Sequence, residues 1–241
     1  MKCLILAAGY ATRLYPLTEN IPKPLLKVGE KTILDRLIED IDRNSDIHEF
    51  VVISNHKFAS VFNKWAKERT ENIVVVDDMT STNETRLGAV RDILYAVNKL
   101  GIDEDVMVMA GDNVLDFSLK GFLEFAQEKK TSCVMCHRED ELRKQQKTAI
   151  ITIDDSCLIT SYEEKPREPK GNLAVPPFYF YRGKDLKRIE EALAEGCSAD
   201  APGSFAAWLS RKVPMHAYLM PGKRYDIGDL PSYEAAQKMF G

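Results

Sequence analysis

The chain has 241 residues, of which 44% are hydrophobic and 29% are charged, and its formal net charge is −4. This length allows one large domain or two small ones, and the ordinary composition excludes a disordered or fibrous protein. The weakly negative charge disfavours a general role on nucleic acid or at a membrane surface, so any bound anion must be held by a few placed cations.

The first two-thirds of the chain alternate short apolar runs with amphipathic stretches. The apolar runs lack alternation, as in strands buried on both faces of a parallel sheet; they predict strands at 3–8, 50–54, 73–78 and 106–112. Helices are predicted between them, at 32–41, 58–68 and 87–100. In the first of these, Thr32 and Asp35 are spaced as a capping box. The order predicts an α/β fold with a doubly wound, mostly parallel, Rossmann-like sheet.

The pattern changes near residue 130, where strand-like runs are separated by turn residues at hairpin-like spacing. These runs predict strands at 133–138, 149–154, 158–165 and 176–182. Further helices are predicted at 184–196, 204–212 and 230–240. Because no linker-like or repetitive segment interrupts the chain, we expect a single domain over 1–241 with a β-rich lobe. No hexapeptide repeats are present, so no C-terminal left-handed β-helix is expected.

Five cysteines, an odd number, do not indicate a disulfide framework. Cys133, Cys136 and His137 have the spacing of a haem-attachment motif, but the surrounding run "TSCVMCH" is typical of a buried strand, which is the favoured interpretation. No apolar stretch approaches the roughly 20 residues of a membrane span, and the N-terminal run is short for a signal sequence. We expect a cytoplasmic protein with no membrane or nucleic-acid partner; a homo-oligomer is compatible with the sequence.

The first strand runs into "AAGYATR", where a phosphate-binding loop is one interpretation and a turn with solvated cations is the other. Gly9 can adopt a positive φ and lets the backbone approach a ligand, with the following amides facing phosphate. Arg13 supplies a fork suited to phosphate oxygens, and Lys23 supplies a point charge. The spacing matches neither a dinucleotide-binding G-x-G-x-x-G motif nor a P-loop.

Two carboxylates follow strand-like runs elsewhere in the chain. Asp112 in "MAGDNV" directly follows an apolar run, and Asp226 in "RYDIGD" follows "MHAYLM". Ligands of open α/β sheets bind outside the carboxyl ends of the strands, and Mg²⁺ is typically held by one or two carboxylates together with substrate phosphates. The two acids fit a metal-nucleotide site if they converge, whereas Asp112 alone could equally cap the next element.

Together these segments resemble the sugar-phosphate nucleotidyltransferase family along nearly the whole chain. The resemblance rests on four motifs in the family's order: "LAAGYATRLYPLT" with "PKPLL", then "AGDN", "SYEEKP" and "YDIGD". It implies that an NTP and a sugar 1-phosphate, such as glucose 1-phosphate, give an NDP-sugar and pyrophosphate.

The resemblance also implies residue roles. Arg13 and Lys23 would bind the nucleotide phosphates, and Asp112 and Asp226 would ligate Mg²⁺. The remaining positions would bind the two substrates: Ala7, Ala8, Gly9 and Gly88 the nucleotide, and Glu164, Lys165 and Asn172 the sugar phosphate.

The sequence departs from the family pattern at three places. Ala11 stands where the family's second loop glycine is usual, which predicts a narrowed loop. Thr148-Ala149 and Pro176-Pro177 replace other usual residues of the sugar pocket. The acceptor therefore stays open, and so does the NTP among UTP, dTTP and CTP. Gly88, with Arg86 and Leu87, lies where the family reads the base, but a role in starting a helix is as well supported.

Two other functions are consistent with the same fold. One is a cytidylyltransferase for phosphocholine or another non-sugar phosphate; the Glu164-Lys165 pair argues against it because it suits an acceptor that carries hydroxyl groups. The other is a regulatory subunit that binds nucleotide-sugars without turnover. Such a subunit could lose its phosphate-binding and metal-binding residues, yet all of them are present: Lys23, Asp112, Lys165 and Asp226.

Overall fold

The computed structural model describes residues 1–43 and 45–241 in full, and the backbone of residue 44. Its strands, in chain order, are β1 Lys2–Leu6, β2 Lys27–Val28, β3 Lys31–Thr32, β4 Glu49–Ser54, β5 Ile73–Asp77, β6 Val106–Ala110, β7 Asn113–Leu115, β8 Ser132–Arg138, β9 Ala149–Ile153, β10 Ile159–Glu164, β11 Leu173–Val175, β12 Phe178–Tyr181, β13 Met215–Leu219 and β14 Arg224–Asp226. Its helices are α1 Ile33–Asn44, α2 His56–Ala66, α3 Ala89–Leu100, α4 Lys120–Lys129, α5 Leu142–Gln145, α6 Gly183–Leu186, α7 Ile189–Ala194, α8 Gly203–Leu209 and α9 Leu230–Phe240.

The chain forms two compact units. The first consists of Met1–Leu87, Met109–Lys120 and Gly222–Gly241, and the second of Gly88–Val108 and Gly121–Pro221. The expectation of a single functional domain over 1–241 stays a prediction, because compact units describe packing and not evolutionary or functional boundaries.

The first unit is built on parallel strands. β4 pairs in parallel with both β1 and β5, and four consecutive residues of β4, Phe50 to Ile53, are at most 1% exposed. Burial on both faces explains why these strands read as unbroken apolar runs. In α1 the predicted capping box is present, since Thr32 Oγ1 accepts from the Asp35 amide and Asp35 accepts from the Thr32 amide.

The second unit is mainly antiparallel. Its strands follow the order β10-β9-β11-β8-β12, with β13 added to β8 in parallel. The observed mixture confirms the predicted α/β class, with parallel strands early in the chain and a β-rich lobe after them. The predicted helix over 184–196 is wrong as a single element. Arg188 leaves the helical region at φ −86° and ψ 4° and separates α6 from α7.

The two cysteines of the haem-like motif lie in β8 and are fully buried. Burial in an apolar environment raises the pKa of Cys133 to about 11, so this thiol is held neutral. Among the described residues, no group of three or more His, Cys, Asp and Glu side chains is arranged to hold a metal ion. In the same part of the chain, none of the helices is long and apolar enough to cross a membrane.

Candidate active site

A cavity of about 310 Å³ in the first unit collects most of the predicted nucleotide-binding residues. It lies where β1 runs into the following loop, as expected for a ligand site at the carboxyl end of a parallel strand. The predicted residues in its lining are Ala7, Gly9, Arg13, Lys23, Asp112 and Asp226. Residues from three distant parts of the sequence therefore share one cavity.

Lys23 lies between the two predicted metal ligands. Its Nζ is 2.7 Å from Asp112 Oδ2 and 3.8 Å from Asp226 Oδ1, and its side chain is only 12% exposed. A short 3-10 turn over Lys23–Leu25, preceded by Pro22 in an extended conformation, fixes the direction in which this side chain leaves the backbone. The arrangement holds one cation and two carboxylates in direct electrostatic contact.

A short antiparallel ribbon brings the two carboxylates together. β7 pairs with β14, and in this register Asp226 lies opposite Asn113. The amide of Ile227 also donates to the carbonyl of Asp112 at 3.2 Å. The convergence that the metal-site hypothesis required is thus present, and it depends on backbone pairing between segments far apart in sequence.

Two residues that the sequence analysis did not select help to hold Asp112. Asn113 Nδ2 donates to Asp112 Oδ1 at 2.8 Å, and Arg224 Nη1 donates to Asn113 Oδ1 at 2.6 Å. Arg224 Nη1 is also 3.7 Å from Asp226 Oδ2. The available signal was their position inside the two acidic motifs, directly after Asp112 and two residues before Asp226. Their effect is to orient both carboxylates through one chain of contacts.

The two carboxylates of the cluster repel each other. Burial, and next the neighbouring Asp112 carboxylate, raise the pKa of Asp226, although 54% of its side chain is open to solvent. Arg224, Lys23 and Arg13 act in the opposite direction. Two neighbouring carboxylates that repel each other are a donor set that Mg²⁺ would stabilise, with substrate phosphates completing its coordination. The residues present therefore fit the implied metal.

The residue with a left-handed backbone conformation in the loop after β1 is Ala11 and not Gly9. Gly9, predicted to use its freedom at positive φ, does not have a positive φ. It instead leaves open space, since a Cβ built there meets no atom within 4 Å. The positive φ falls on Ala11, at φ 47° and ψ 40°, and the Ala11 carbonyl accepts from Thr18 Oγ1 at 2.8 Å and from the Leu14 amide at 3.0 Å. These bonds hold a conformation that glycine would adopt with less strain.

Replacing Ala11 by Gly is expected to raise the free energy of unfolding by about 0.5–1 kcal/mol. Relief of the left-handed strain exceeds the extra entropy that glycine adds to the unfolded chain. The matched control is Ala235→Gly in the exposed interior of α9, which should lower the same quantity by about 0.5–1 kcal/mol. Urea unfolding measures both. Equal losses in the two variants would contradict the left-handed conformation of Ala11.

Other backbone groups of the loop already have protein partners. The Ala7 amide donates to the Ile53 carbonyl at 2.9 Å, and the Ala8 carbonyl accepts from Asn55 Nδ2 at 2.9 Å. The Tyr10 hydroxyl donates to the Thr80 carbonyl at 3.3 Å. These contacts fasten the loop to β4 and to the segments that follow β4 and β5, so the conformation of the loop is fixed by the protein itself.

The predicted acceptor residues lie in the second unit. Glu164 ends β10, and burial raises the pKa of its carboxyl while Lys165 opposes this. Lys165 is exposed and has a φ of 49°, and its amide donates to the Thr148 carbonyl at 3.1 Å. Asn172 Nδ2 donates to Asp140 Oδ1 at 3.2 Å. Glu164 and Lys165 thus lie together at the end of β10, whereas the side-chain amide of Asn172 is hydrogen-bonded to Asp140.

Gly88, the predicted base-reading residue, has a clear structural reason to be glycine. Its φ is 89° at the start of α3, and a Cβ there would lie 2.6 Å from the Ala199 carbonyl oxygen. The next residues anchor the helix, since the Val90 amide donates to that same carbonyl at 3.0 Å. A helix-starting role accounts for Gly88, and base recognition stays a prediction.

Volume alone does not locate the site. The first unit also contains a cavity of about 430 Å³, lined by charged residues of α1 and by the segment after β7. Its ion pairs are open to solvent: Glu39 contacts Lys31 and Arg43, whose side chains are 48% and 70% exposed. The smaller cavity is the better candidate because its charged groups converge and are partly desolvated.

Comparison with known proteins decides the family. The model of the nucleotidyl transferase family matches residues 2–240. The chain belongs to the nucleotidyl transferase family. Among curated proteins, it is 27% identical over 245 residues to a glucose-1-phosphate adenylyltransferase of Clostridium acetobutylicum, covering 95% of this chain and 64% of that protein. It is 28% identical to the UTP–glucose-1-phosphate uridylyltransferase AglF of Haloferax volcanii, covering 75% of this chain and 72% of that one.

Solved structures of nucleotidyl transferases share the fold. A UDP-glucose pyrophosphorylase in complex with UDP-glucose superposes with a TM-score of 0.81 at 20% identity, covering 99% of this chain and 97% of the other. The chain also resembles a bifunctional GlmU protein of Methanococcus aeolicus, at 29% identity over 79% of this chain. It spans 42% of that protein, so it corresponds to part of the length of several relatives in this family.

Proposed function

We propose that this nucleotidyl transferase converts an NTP and a sugar 1-phosphate, such as glucose 1-phosphate, into an NDP-sugar and pyrophosphate. The observation that carries the proposal is the position of Lys23, within 4 Å of both Asp112 and Asp226, in a cavity that also contains Arg13. The named activities of the relatives, an adenylyltransferase and a uridylyltransferase of glucose 1-phosphate, support the same reaction. They add ATP to the candidate donors UTP, dTTP and CTP that the sequence predicts.

In the proposed reaction, an oxygen of the sugar phosphate attacks the α-phosphorus of the NTP. One phosphorus–oxygen bond forms, the bond from the α-phosphorus to the bridging oxygen breaks, and pyrophosphate leaves with the electron pair. The nucleophile is already anionic, so no general base is needed. The difficulty is to bring two anions together and to stabilise the charge of the leaving pyrophosphate, which positioned cations accomplish.

The cations of the first unit would perform this task. Arg13 provides a planar fork suited to phosphate oxygens, whereas Lys23 provides a compact charge fixed by its two carboxylate neighbours. Asp112 and Asp226 would hold Mg²⁺, a Lewis acid that neutralises phosphate charge when bound. Asn113 and Arg224 would keep these carboxylates oriented.

The acceptor would be held by residues of the second unit. Lys165 would bind the acceptor phosphate, and Glu164 and Asn172 would hydrogen-bond to sugar hydroxyls. The half-buried Glu164 carboxyl suits this role, because hydrogen bonds to a partly desolvated charged group are stronger than those in water. The cytoplasmic location and the homo-oligomer expected from the sequence stay predictions.

Replacing Lys165 by Ala is expected to lower kcat/KM for the sugar phosphate by about 10²-fold, through loss of a charge-assisted bond to phosphate. The Kd of the NTP should stay within about twofold of the wild-type value. The matched control is Lys170→Ala in the same loop, whose Nζ is 2.8 Å from Glu163. Steady-state kinetics and calorimetry separate the two substrates. Equal damage to NTP and acceptor binding would show that the role of Lys165 is misassigned.

The proposal is tested by pyrophosphate release across a grid of donors and acceptors. The donors are ATP, CTP, GTP, UTP and dTTP; the acceptors include glucose 1-phosphate, mannose 1-phosphate and phosphocholine, each with and without Mg²⁺. Turnover with a sugar 1-phosphate is expected. Turnover with phosphocholine alone would replace the proposal by a cytidylyltransferase, and NTP binding with no turnover anywhere in the grid would favour a regulatory subunit.

A further inference from the structure

A polar slot in the second unit surrounds the Glu164 carboxylate. A Cβ placed on Gly203, the first residue of α8, would lie 2.5 Å from Glu164 Oε2 and 3.4 Å from the hydroxyl oxygens of both Tyr162 and Tyr179. Real Cβ atoms do not approach an oxygen to 2.5 Å. The carboxylate therefore occupies space that exists only because residue 203 has no side chain.

Tyr162 contributes an unusual group to this slot. Its side chain is 7% exposed, and its hydroxyl oxygen is buried with no hydrogen-bond partner among the described residues. Leaving a buried hydroxyl unpaired costs about 1–3 kcal/mol, so this hydroxyl would gain stability by donating to the carboxylate that shares the slot with it. Tyr162 and Glu164 are two residues apart on β10 and so project to the same face of the sheet.

The slot opens into a cavity that a ligand can enter. This cavity, of about 360 Å³, is lined by Tyr162 and Glu164 of β10, by Ser204, Trp208 and Arg211 of α8 and its end, and by the segment after α7. It lies on residues of the second unit alone. A carboxylate at its wall, with a hydroxyl donor behind it, can accept hydrogen bonds from hydroxyl groups of a bound molecule.

We propose that Gly203 and Tyr162 are positioning residues for Glu164: Gly203 leaves the slot that admits the carboxylate, and Tyr162 donates a hydrogen bond to it when an acceptor that carries hydroxyl groups is bound. This inference rests on the proposed function and deepens it, because it names the feature of the acceptor that the site reads. An acceptor without hydroxyl groups gains nothing from the fixed carboxylate.

Gly203→Ala is the sharpest test, since the new methyl group displaces the carboxylate directly. The backbone at residue 203 does not have a positive φ, and alanine is a good helix former, so α8 should form. We expect KM for the active sugar 1-phosphate to rise about 10- to 100-fold, the effect of losing a hydrogen bond to a charged group, while KM for the NTP stays within twofold.

A double variant with Glu164→Asp tests the same contact. The shorter Asp side chain withdraws the carboxylate from residue 203, so the effects of Gly203→Ala and Glu164→Asp on the acceptor KM should be less than additive.

Tyr162→Phe should raise the acceptor KM about 3- to 10-fold with kcat nearly unchanged. The matched control is Tyr181→Phe, which also removes a buried hydroxyl that has no hydrogen-bond partner among the described residues, but one that does not border the slot. Its acceptor KM should not change. Equal effects of the two tyrosine variants, or additive effects of Gly203→Ala and Glu164→Asp, would overturn the inference.

The wild-type protein, assayed alongside, separates this inference from the function on which it rests. If the wild type turns over a sugar 1-phosphate and Gly203→Ala leaves its KM unchanged, the inference fails and the proposed function stands. If the wild type turns over no sugar 1-phosphate but uses phosphocholine, the proposed function fails, and a raised phosphocholine KM in Gly203→Ala would overturn the inference as well, because the slot would then act on an acceptor without hydroxyl groups.

Discussion

Asp112→Asn is expected to lower kcat/KM by about 10²–10³-fold, the range for removing one group that stabilises charge in a transition state. The substitution keeps the shape of the side chain and removes the negative charge that faces Lys23 Nζ at 2.7 Å. It thereby removes one of the two carboxylates that would hold Mg²⁺. The free energy of unfolding should not fall together with the activity, because the substitution also removes the repulsion from Asp112 that raises the pKa of Asp226.

Mg²⁺ titration of pyrophosphate release, with thermal unfolding as the check on folding, tests this expectation. The matched control is Asp42→Asn, which removes an exposed carboxylate from α1 in the same unit and should keep wild-type kinetics. The half-saturating Mg²⁺ concentration should rise in Asp112→Asn. An unchanged Mg²⁺ requirement with full activity would exclude Asp112 as a metal ligand.

Lys23→Met is expected to cause a loss of similar size, about 10²–10³-fold in kcat/KM, for a different reason. The variant retains both carboxylates and removes the cation between them. The Kd of the NTP should rise, since the cation that meets the phosphates is lost. Lys27→Met, at an exposed position of β2, is the matched control and should bind NTP normally.

Lys23→Met is also expected to move the acid limb of the pH–rate profile to higher pH. Lys23 lowers the pKa of Asp226, which burial and Asp112 raise, so removing Lys23 raises that pKa further. Asp226 must be ionised to hold a cation, so residual activity should appear at higher pH in Lys23→Met than in the wild type. A pH–rate profile whose acid limb stays in place, or moves to lower pH, would show that Lys23 and Asp226 are not electrostatically linked.

Local sequence signals account for the elements that were predicted well. Helix α1 was found because Thr32 and Asp35 satisfy the first-turn amides while one apolar stripe faces the core. Helix α9 matches its prediction, 230–240, because Asp229 caps it and Pro231 suits its first turn. The start of each helix is set by residues within its first turn, so the sequence alone is enough to predict where these helices begin.

Elements that depend on distant partners were missed. Helix α4 has only a modest local signal, Ser118 Oγ accepting from the Lys120 amide at 3.2 Å, and it buries Phe122 and Leu123 on a narrow apolar face. The three-residue strands β7 and β14 are too short to show a pattern and exist because they pair with each other. The break before α7 accompanies Arg188, whose guanidinium lies 5.1 Å from the ring centre of Trp208, a contact that no local pattern reveals.

In the candidate site too, some features follow from local sequence and others depend on distant partners. The residue types at Arg13, Lys23, Asp112 and Asp226 could be selected from motifs and from the chemistry of phosphate. Their convergence could not, because it depends on the β7–β14 ribbon. The slot around Glu164 was invisible for a further reason: it depends on the absence of a side chain at Gly203, and a lone glycine before a helix has many ordinary explanations.

The central claim, transfer of a nucleotidyl group to the oxygen of a sugar phosphate, is tested most directly by isotope position. Glucose 1-phosphate with ¹⁸O in its three non-bridging phosphate oxygens, or whichever sugar 1-phosphate proves active, is incubated with enzyme, Mg²⁺ and the preferred NTP, and the products are read by ³¹P NMR and mass spectrometry. The account predicts an NDP-sugar that retains all three labelled oxygens, one of them bridging the two phosphorus atoms, and unlabelled pyrophosphate. Labelled free phosphate, or loss of the NTP without an NDP-sugar, would contradict it.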